Sequence, residues 1–268
     1  MSKIKITFEE LKKLNKSALI PFITAGDPSP TKTVSLMNAL VENGADMIEL
    51  GIPFSDPMAD GPVIQRASER ALKNKVGIKG TIKLAKDFRK KNKETPLILM
   101  GYANPIEAIG VENFISLIKE AQIDGVITVD YPPEESKEFV KKLNKEKIDS
   151  IFLISPTTED ERIKLIAKQA SGFLYYVSLK GVTGAANIDI EQVSKNVKNI
   201  QKYSELPVAV GFGVRDSKTA KAVSEISDGV VIGSRIVKEI EESDEIEIIP
   251  NVKKLMHSMK TAIDSSSV

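Results

Sequence analysis

A chain with one histidine and no cysteine has few ways to do chemistry. His257 alone cannot build a Ser-His-Asp triad, a Cys-His pair or a histidine zinc site. It lies in Leu255-Met256-His257-Ser258, inside a lysine-rich C-terminal helical pattern, where it is expected on the surface. The missing cysteines remove disulfides, thiolate nucleophiles and thiolate-held metals together. Catalysis must therefore rest on carboxylates, tyrosine, lysine, backbone groups or a cofactor.

Glu49 is the first such residue. It interrupts the apolar stretch Met47-Ile48-Glu49-Leu50-Gly51. A carboxylate in apolar surroundings costs several kcal/mol unless it is paired or protonated. Its expected response is a raised pKa, which suits a general acid–base group, although a pair with a lysine would serve structure instead. The loop that follows, Gly51 to Pro62, packs three prolines, two glycines and two aspartates into twelve residues. Asp60 in that loop either caps the helix starting near Pro62 or brings a second carboxylate toward Glu49. Two carboxylates in different environments can divide acid, base and electrostatic roles.

Tyr175 and Tyr176 are adjacent in Phe173-Leu174-Tyr175-Tyr176-Val177, so one faces each side of a strand. Late in the chain, Gly211-Phe212-Gly213 and Gly233-Ser234 close two further apolar stretches, the second at a helix start. Glycines let backbone N–H groups approach phosphate oxygens, and a helix N-terminus favours an anion. Gly181-Val182-Thr183-Gly184 can supply a third wall. The Gly-x-Gly is no dinucleotide fingerprint, since position 216 is Asp.

These residues need a scaffold that brings distant stretches to one rim. Short apolar runs recur at Ala18–Ile23, Asp46–Leu50, Pro96–Gly101, Gly125–Val129, Asp149–Ile154, Gly172–Val177, Pro207–Gly211 and Gly229–Ile232. Most do not alternate, as expected of strands buried on both faces of a parallel sheet. Amphipathic helices fall between them. Ser29-Pro30 reads as N-cap and N1 of one, with Val34, Met37, Leu40 and Val41 facing inward. Thr158-Glu159-Asp160-Glu161 and Thr7-Phe8-Glu9-Glu10 read as capping boxes. Gly44, Gly125, Gly172 and Gly229 are expected to end helices in the left-handed conformation. Eight strand–helix units of about 30 residues favour a closed barrel over an open sheet. The expected fold is α/β: a single parallel (β/α)8 TIM barrel spanning residues 1–268, with an extra N-terminal helix and an elongated second βα unit. Active sites in such barrels lie at the C-terminal strand ends, where Glu49, Gly211 and Gly233 fall.

Composition agrees with a globular enzyme of this size. The chain has 268 residues, 41% hydrophobic and 28% charged, with a net charge of +1, so no global bias toward nucleic acid or anionic membrane exists. Its first residues, MSKIKITFEE, break apolar positions with charges and do not read as a signal peptide. No apolar run approaches the roughly 18 residues of a membrane helix. A soluble, cytoplasmic protein is the expectation, and the lysine-rich stretches Lys90–Lys93 and Lys141–Lys147 read as solvated faces.

The segment Glu49 to Pro57, with Ala59-Asp60-Gly61-Pro62, resembles the signature of tryptophan synthase alpha chains. Pro21–Pro28, Met100–Ile106, Gly181–Gly184 and Gly211-Phe212-Gly213-Val214 are similar to the same family. The resemblance spans about residues 20 to 236. It implies lyase chemistry in tryptophan biosynthesis: cleavage of indole-3-glycerol phosphate to indole and glyceraldehyde 3-phosphate, with no metal or organic cofactor. By position, it implies Glu49 as general acid–base, Asp60 as acceptor of the indole N–H, and Tyr175 as the inward tyrosine beside Glu49. It further implies Phe22, Ile64, Met100 and Phe212 around the indole. Thr183 would bond Asp60 as its loop closes, and Gly184, Gly213, Gly233 and Ser234 would hold phosphate. A pyridoxal-phosphate-dependent beta chain is the implied partner, in an alpha2-beta2 heterotetramer that passes indole across. Leu179 and Lys180 depart from the family pattern, which has an arginine or small polar residue at 179. Met58 replaces a commoner leucine.

Three other functions fit parts of the sequence. A Schiff-base aldolase would need a lysine at a strand end, and Lys180 is the nearby candidate. A phosphosugar isomerase or epimerase could share the fold, although one histidine weakens its metal-dependent versions. A silent barrel that only regulates a partner would have no reason to keep both Glu49 and Asp60.

Overall fold

The computed structural model describes residues 2–178, 189–211 and 213–265. Eight parallel strands close into a barrel in sequence order. They are β1 (Ala18–Thr24), β2 (Ile48–Gly51), β3 (Leu97–Gly101), β4 (Gly125–Thr128), β5 (Asp149–Ile154), β6 (Leu174–Val177), β7 (Val208–Gly211) and β8 (Gly229–Ile232). The barrel closes where Ala18 to Pro21 of β1 pair with Gly229 to Ile232 of β8. Each expected apolar stretch carries one strand. The second unit is long because it holds two helices, Pro62–Lys73 and Ile78–Arg89.

Strand alternation divides the core into two layers. Ile48 and Leu50 of β2, Leu97 and Leu99 of β3, and Val208 and Val210 of β7 point outward under the helices. Ile20, Met47, Ile98, Ile127, Ile151, Tyr175, Ala209 and Val231 point inward and fill the barrel. The helix Lys3–Lys13 plugs the N-terminal end with Ile4, Phe8 and Leu11, and Phe8 meets Phe173 at 5.6 Å between ring centroids. Both faces of each strand are thus apolar, which is why the strand segments lack simple alternation.

Three aspartates, each one to two residues ahead of a strand, tie neighbouring strands together at the same end. Asp46 accepts from the Leu19 N–H at 2.7 Å, Asp124 from Leu97 at 2.9 Å and Asp228 from Val208 at 2.8 Å. Arg89, only 4% exposed, donates to Asp124 at 2.5 Å and to the carbonyls of Gln122, Asn92 and Thr95.

Some local expectations need correction. Ser29 does precede the helix Pro30–Glu42, yet Leu36 and Ala39 are buried there while Val34 and Val41 only lean on the core. Thr7 caps nothing: the helix starts at Lys3, Ser2 accepts from Lys5, and the Thr7 hydroxyl donates back to the Lys3 carbonyl. Thr158 is not a cap either, because its hydroxyl accepts from the Ser155 N–H and the helix begins at Asp160. Gly44 and Gly172 have the expected positive φ, 95° and 76°. Gly125 and Gly229 do not; they lie inside strands. A Cβ on Gly125 would come within 2.7 Å of Ile151 and 2.8 Å of Ile4, so close packing requires that glycine. The left-handed residue ahead of β4 is instead Gln122, at φ 53°. His257 is exposed on the helix Ile248–Asp264, as its flanking lysines suggest. No helix among the described residues is long and apolar enough to cross a membrane.

Candidate functional site

Alternation on β2 puts Glu49 on the same side as Met47, inside the barrel and one step nearer the C-terminal rim. It pairs in register with Phe22 of β1 and Ile98 of β3, both apolar. Glu49 is 1% exposed, and neither carboxyl oxygen has a hydrogen-bond partner among the described residues. Burial pushes its pKa up to about 8, and the Asp60 charge adds to the rise. Among the described residues no lysine pairs with it, so the structural alternative for Glu49 has no support in their geometry. At neutral pH this carboxyl is mostly a neutral acid.

Asp60 reaches the rim through a short turn. Its N–H donates to the Pro57 carbonyl at 3.0 Å, and its own carbonyl accepts from Gln65 Nε2 at 2.9 Å. The N-cap of the helix Pro62–Lys73 is Gly61, so Asp60 is not that helix's cap. Its carboxylate instead takes a hydrogen bond from the Tyr102 hydroxyl. Burial raises Asp60 to about 6, and the tyrosine bond opposes the rise. Tyr102 is 4% exposed, and its oxygen also accepts from the Ala59 N–H at 3.1 Å. Its own pKa is raised, first by burial and then by the Asp60 charge. Tyr102 therefore orients Asp60, a role that the sequence reading missed. One signal was available: a tyrosine directly past the end of β3 needs a partner for its hydroxyl if the ring is buried.

Tyr175 is the inward tyrosine of β6. Its hydroxyl is held far above its ordinary pKa by burial, with Glu49 and Asp60 as the charges acting on it. Tyr176 faces outward, where it accepts from Asn196 Nδ2 at 2.6 Å. The Tyr175 ring lies over Gly211 so closely that a Cβ there would collide with it. Gly51 plays the same part for Phe22, whose Cζ would be 2.6 Å from a Cβ at that position. Two glycines at strand ends thus make room for two rings at the barrel mouth.

The apolar lining is brought together from two strand ends and one helix start. Phe22, Ile64 and Met100 surround a cleft that also contains Asp60, Tyr102 and Thr24. Ile64 and Phe22 pack in one cluster with Ala67 and Val237, and Met100 leans on it. Thr24 is 2% exposed, and its hydroxyl has no partner among the described residues.

Across the mouth, Gly213 follows β7 with φ 84° and is exposed, while Gly233 forms the N-cap of the helix Ser234–Glu242. The first N–H groups of a helix lack intrahelical partners. Arg235 turns along its own helix to Glu239 at 2.6 Å, away from any role in that cradle. Asp216, which excluded a dinucleotide fingerprint, caps the helix Ser217–Ser224 by accepting from the Thr219 N–H at 2.8 Å. Thr183, Gly184 and Phe212, with Leu179, Lys180, Gly181 and Val182, lie outside the described residues.

Comparison with known proteins gives one consistent result. Residues 8–264 match the family model described as tryptophan synthase alpha chain. The tryptophan synthase alpha chain of Nitrosomonas europaea is 52% identical over 267 residues, covering 100% of this chain and 97% of that one. That of Thiobacillus denitrificans is 55% identical over 267 residues, covering 100% and 98%. A crystal structure of tryptophan synthase subunit alpha from Legionella pneumophila superposes with a TM-score of 0.93 at 44% identity, covering 99% of each chain.

Proposed function

The chain belongs to the tryptophan synthase alpha chain family, and from that premise we propose that Glu49, Asp60 and Tyr175 carry its reaction. The reaction is that of a carbon–carbon lyase: indole-3-glycerol phosphate is split into indole and glyceraldehyde 3-phosphate in tryptophan biosynthesis. Membership sets aside the aldolase, isomerase and silent-barrel alternatives.

Cleavage needs a proton on indole C3 and the loss of one from the side-chain hydroxyl. Glu49, neutral at pH 7 because its pKa is about 8, donates the first. The ring then carries positive charge shared with its nitrogen. Asp60, still ionised at pH 7 with a pKa of about 6, accepts the ring N–H and stabilises that charge. The Glu49 carboxylate next takes the hydroxyl proton. The carbon–carbon bond breaks, its electrons restore the indole ring, and the aldehyde forms. One carboxyl gives a proton and recovers one, so the cycle closes. Tyr175 closes the inner wall beside Glu49 and keeps water from it.

Phe22, Ile64 and Met100 supply the indole's apolar wall, with Phe212 as the remaining member of that set. The phosphate end falls to Gly213, Gly233 and Ser234, with Gly184 as a fourth contact. Backbone N–H groups and the helix dipole do the binding there. As an alpha chain, the protein has a beta-chain partner in general. The finer reading is docking of the barrel's C-terminal face on a pyridoxal-phosphate enzyme in an alpha2-beta2 heterotetramer in the cytoplasm.

The observation that carries the catalytic assignment is a wholly buried carboxyl, unpaired among the described residues, at a strand end beside a second carboxylate. The decisive test is an indole-release assay on Glu49→Gln. General acid–base catalysis contributes typically about 10²–10⁴-fold, and loss of both transfers should cost at least that. A variant with near-normal release would overturn the assignment.

A further inference from the structure

Two helices carry the two ends of the proposed site, and a charged cluster far from the reacting atoms joins them. The helix Pro62–Lys73 starts two residues after Asp60, and the helix Ser234–Glu242 starts at the phosphate cradle. Near those starts they share the apolar contact among Ile64, Ala67 and Val237. Near the end of the second helix, Glu241 takes two bonds from Arg66, at 2.8 and 2.7 Å. Arg70 donates to the same carboxylate at 2.5 Å. Arg70 also forks onto Asp27 at 2.6 and 2.9 Å. Asp27 is 1% exposed and belongs to the loop after β1. That loop is held again by Asn74 Nδ2, which donates to the carbonyls of Gly26 and Pro28 at 3.1 and 2.8 Å. One guanidinium, on the helix after β2, thus joins the loop after β1 to the helix after β8.

A surface ion pair would contribute little here. This one has a buried carboxylate at one end and bidentate geometry, which fixes direction as well as distance. It touches none of the groups assigned to the reaction. What it does join is the pair of helices that start two residues after Asp60 and at Ser234. Those two points meet opposite ends of the same substrate, the ring N–H and the phosphate.

We propose that Arg70 is a positioning residue that sets the span of the site, so that indole and phosphate are recognised together only when joined by a linker of the right length. The inference rests on the site reading above. Each end is bound by its own local group, and Arg70 supplies the fixed distance between them. For a linked ligand, the second contact forms at an effective concentration set by geometry, and this advantage vanishes when the geometry drifts.

The test compares a linked ligand with its fragments by calorimetry. The probes are indole, glycerol phosphate and indolepropanol phosphate, which joins the two through a propyl chain and lacks the hydroxyl that cleavage requires. In Arg70→Met, affinity for the linked probe should fall at least about tenfold, within the usual range of coupling between sites. Affinity for each fragment should change by less than about twofold. Arg70→Lys keeps the charge but loses the fork and should fall between. Glu241→Gln, milder because Glu241 is partly exposed, should repeat the pattern and decides the matter if Arg70→Met fails to fold. Equal losses for fragments and linked probe, or no loss for the linked probe, would overturn the span role. A wild-type chain that binds neither fragment would overturn the site reading and this inference with it.

Discussion

The two carboxyls do different work because their surroundings differ, and pH should expose this. Productive enzyme needs Glu49 protonated and Asp60 ionised. With pKa values of about 8 and about 6, kcat/KM should pass through a maximum between those values and fall on both sides. Asp60→Asn should remove the acid limb. Because the Asp60 charge helps to raise Glu49, the alkaline limb of that variant should also move to lower pH. An acid limb that survives in Asp60→Asn would show that another group titrates there. Stability should follow the same chemistry. The folded chain holds the Glu49 proton more tightly than the unfolded chain does. Its contribution is therefore fully present below pH 4.5 and is lost as pH rises through about 8. The stability of Glu49→Gln relative to wild type should grow across that window in urea titrations at several pH values. At this scale the sequence was informative where chemistry clashed with pattern, as with a glutamate inside an apolar strand. Tyr102 was not legible because a tyrosine at a strand end fits packing equally well. Its role depends on Asp60, which lies 42 positions earlier in the chain.

The elements place those residues, and their junctions at the opposite end of the barrel should govern stability rather than turnover. Asp124 and Asp228 make the same bond to a preceding strand, but only Asp124 also neutralises the buried Arg89. Removing one partner of a buried pair costs about 3–5 kcal/mol because the other charge is left uncompensated. Losing a hydrogen bond that satisfied a backbone N–H costs about 1–3 kcal/mol. Asp124→Ala should therefore destabilise more than Asp228→Ala in chemical unfolding, and both should retain wild-type indole release per folded molecule. Equal losses of stability would mean that Arg89 is satisfied by its three carbonyl partners alone. The eight strands were legible because each is a compact apolar run, and their order followed from the repeating unit. Caps were less legible. Thr7 and Thr158 stand in the right local pattern, but tertiary packing places one cap five residues earlier, at Ser2, and the other one residue later, at Glu159. The close approach of Ile4 to Gly125 joins residues far apart in the chain and leaves no local signature.

At the scale of the whole molecule, the rim that holds Asp60 also carries the hollow on which a beta chain is proposed to dock. Phe54, Ser55, Asp56, Pro57 and Met58, with Gln65 and Glu69, form a surface hollow of about 310 Å³. Met58 stands 84% exposed, and Asp56 is exposed beside it. The same segment leads directly into the turn that places Asp60, since the Asp60 N–H donates to the Pro57 carbonyl. A partner that seats on this segment would order the turn and hold Asp60 against Tyr102. If a partner makes the Tyr102-held arrangement of Asp60 more populated, binding should raise the indole-releasing rate. Coupling of this kind is typically about 1–3 kcal/mol, or roughly 5–150-fold. Asp56→Ala should then reduce the stimulation by a beta chain more than the basal rate, because Asp56 is exposed and touches no group assigned to the reaction. Pro57→Ala keeps the carbonyl that Asp60 uses but loosens the turn, so it should lower both the basal rate and the stimulation. Rates measured with and without a saturating beta chain separate these effects. Full activity of the isolated chain, or equal losses for Asp56→Ala in both states, would mean that the rim is only a stiff edge of the barrel and that Asp60 needs no partner to hold it in place.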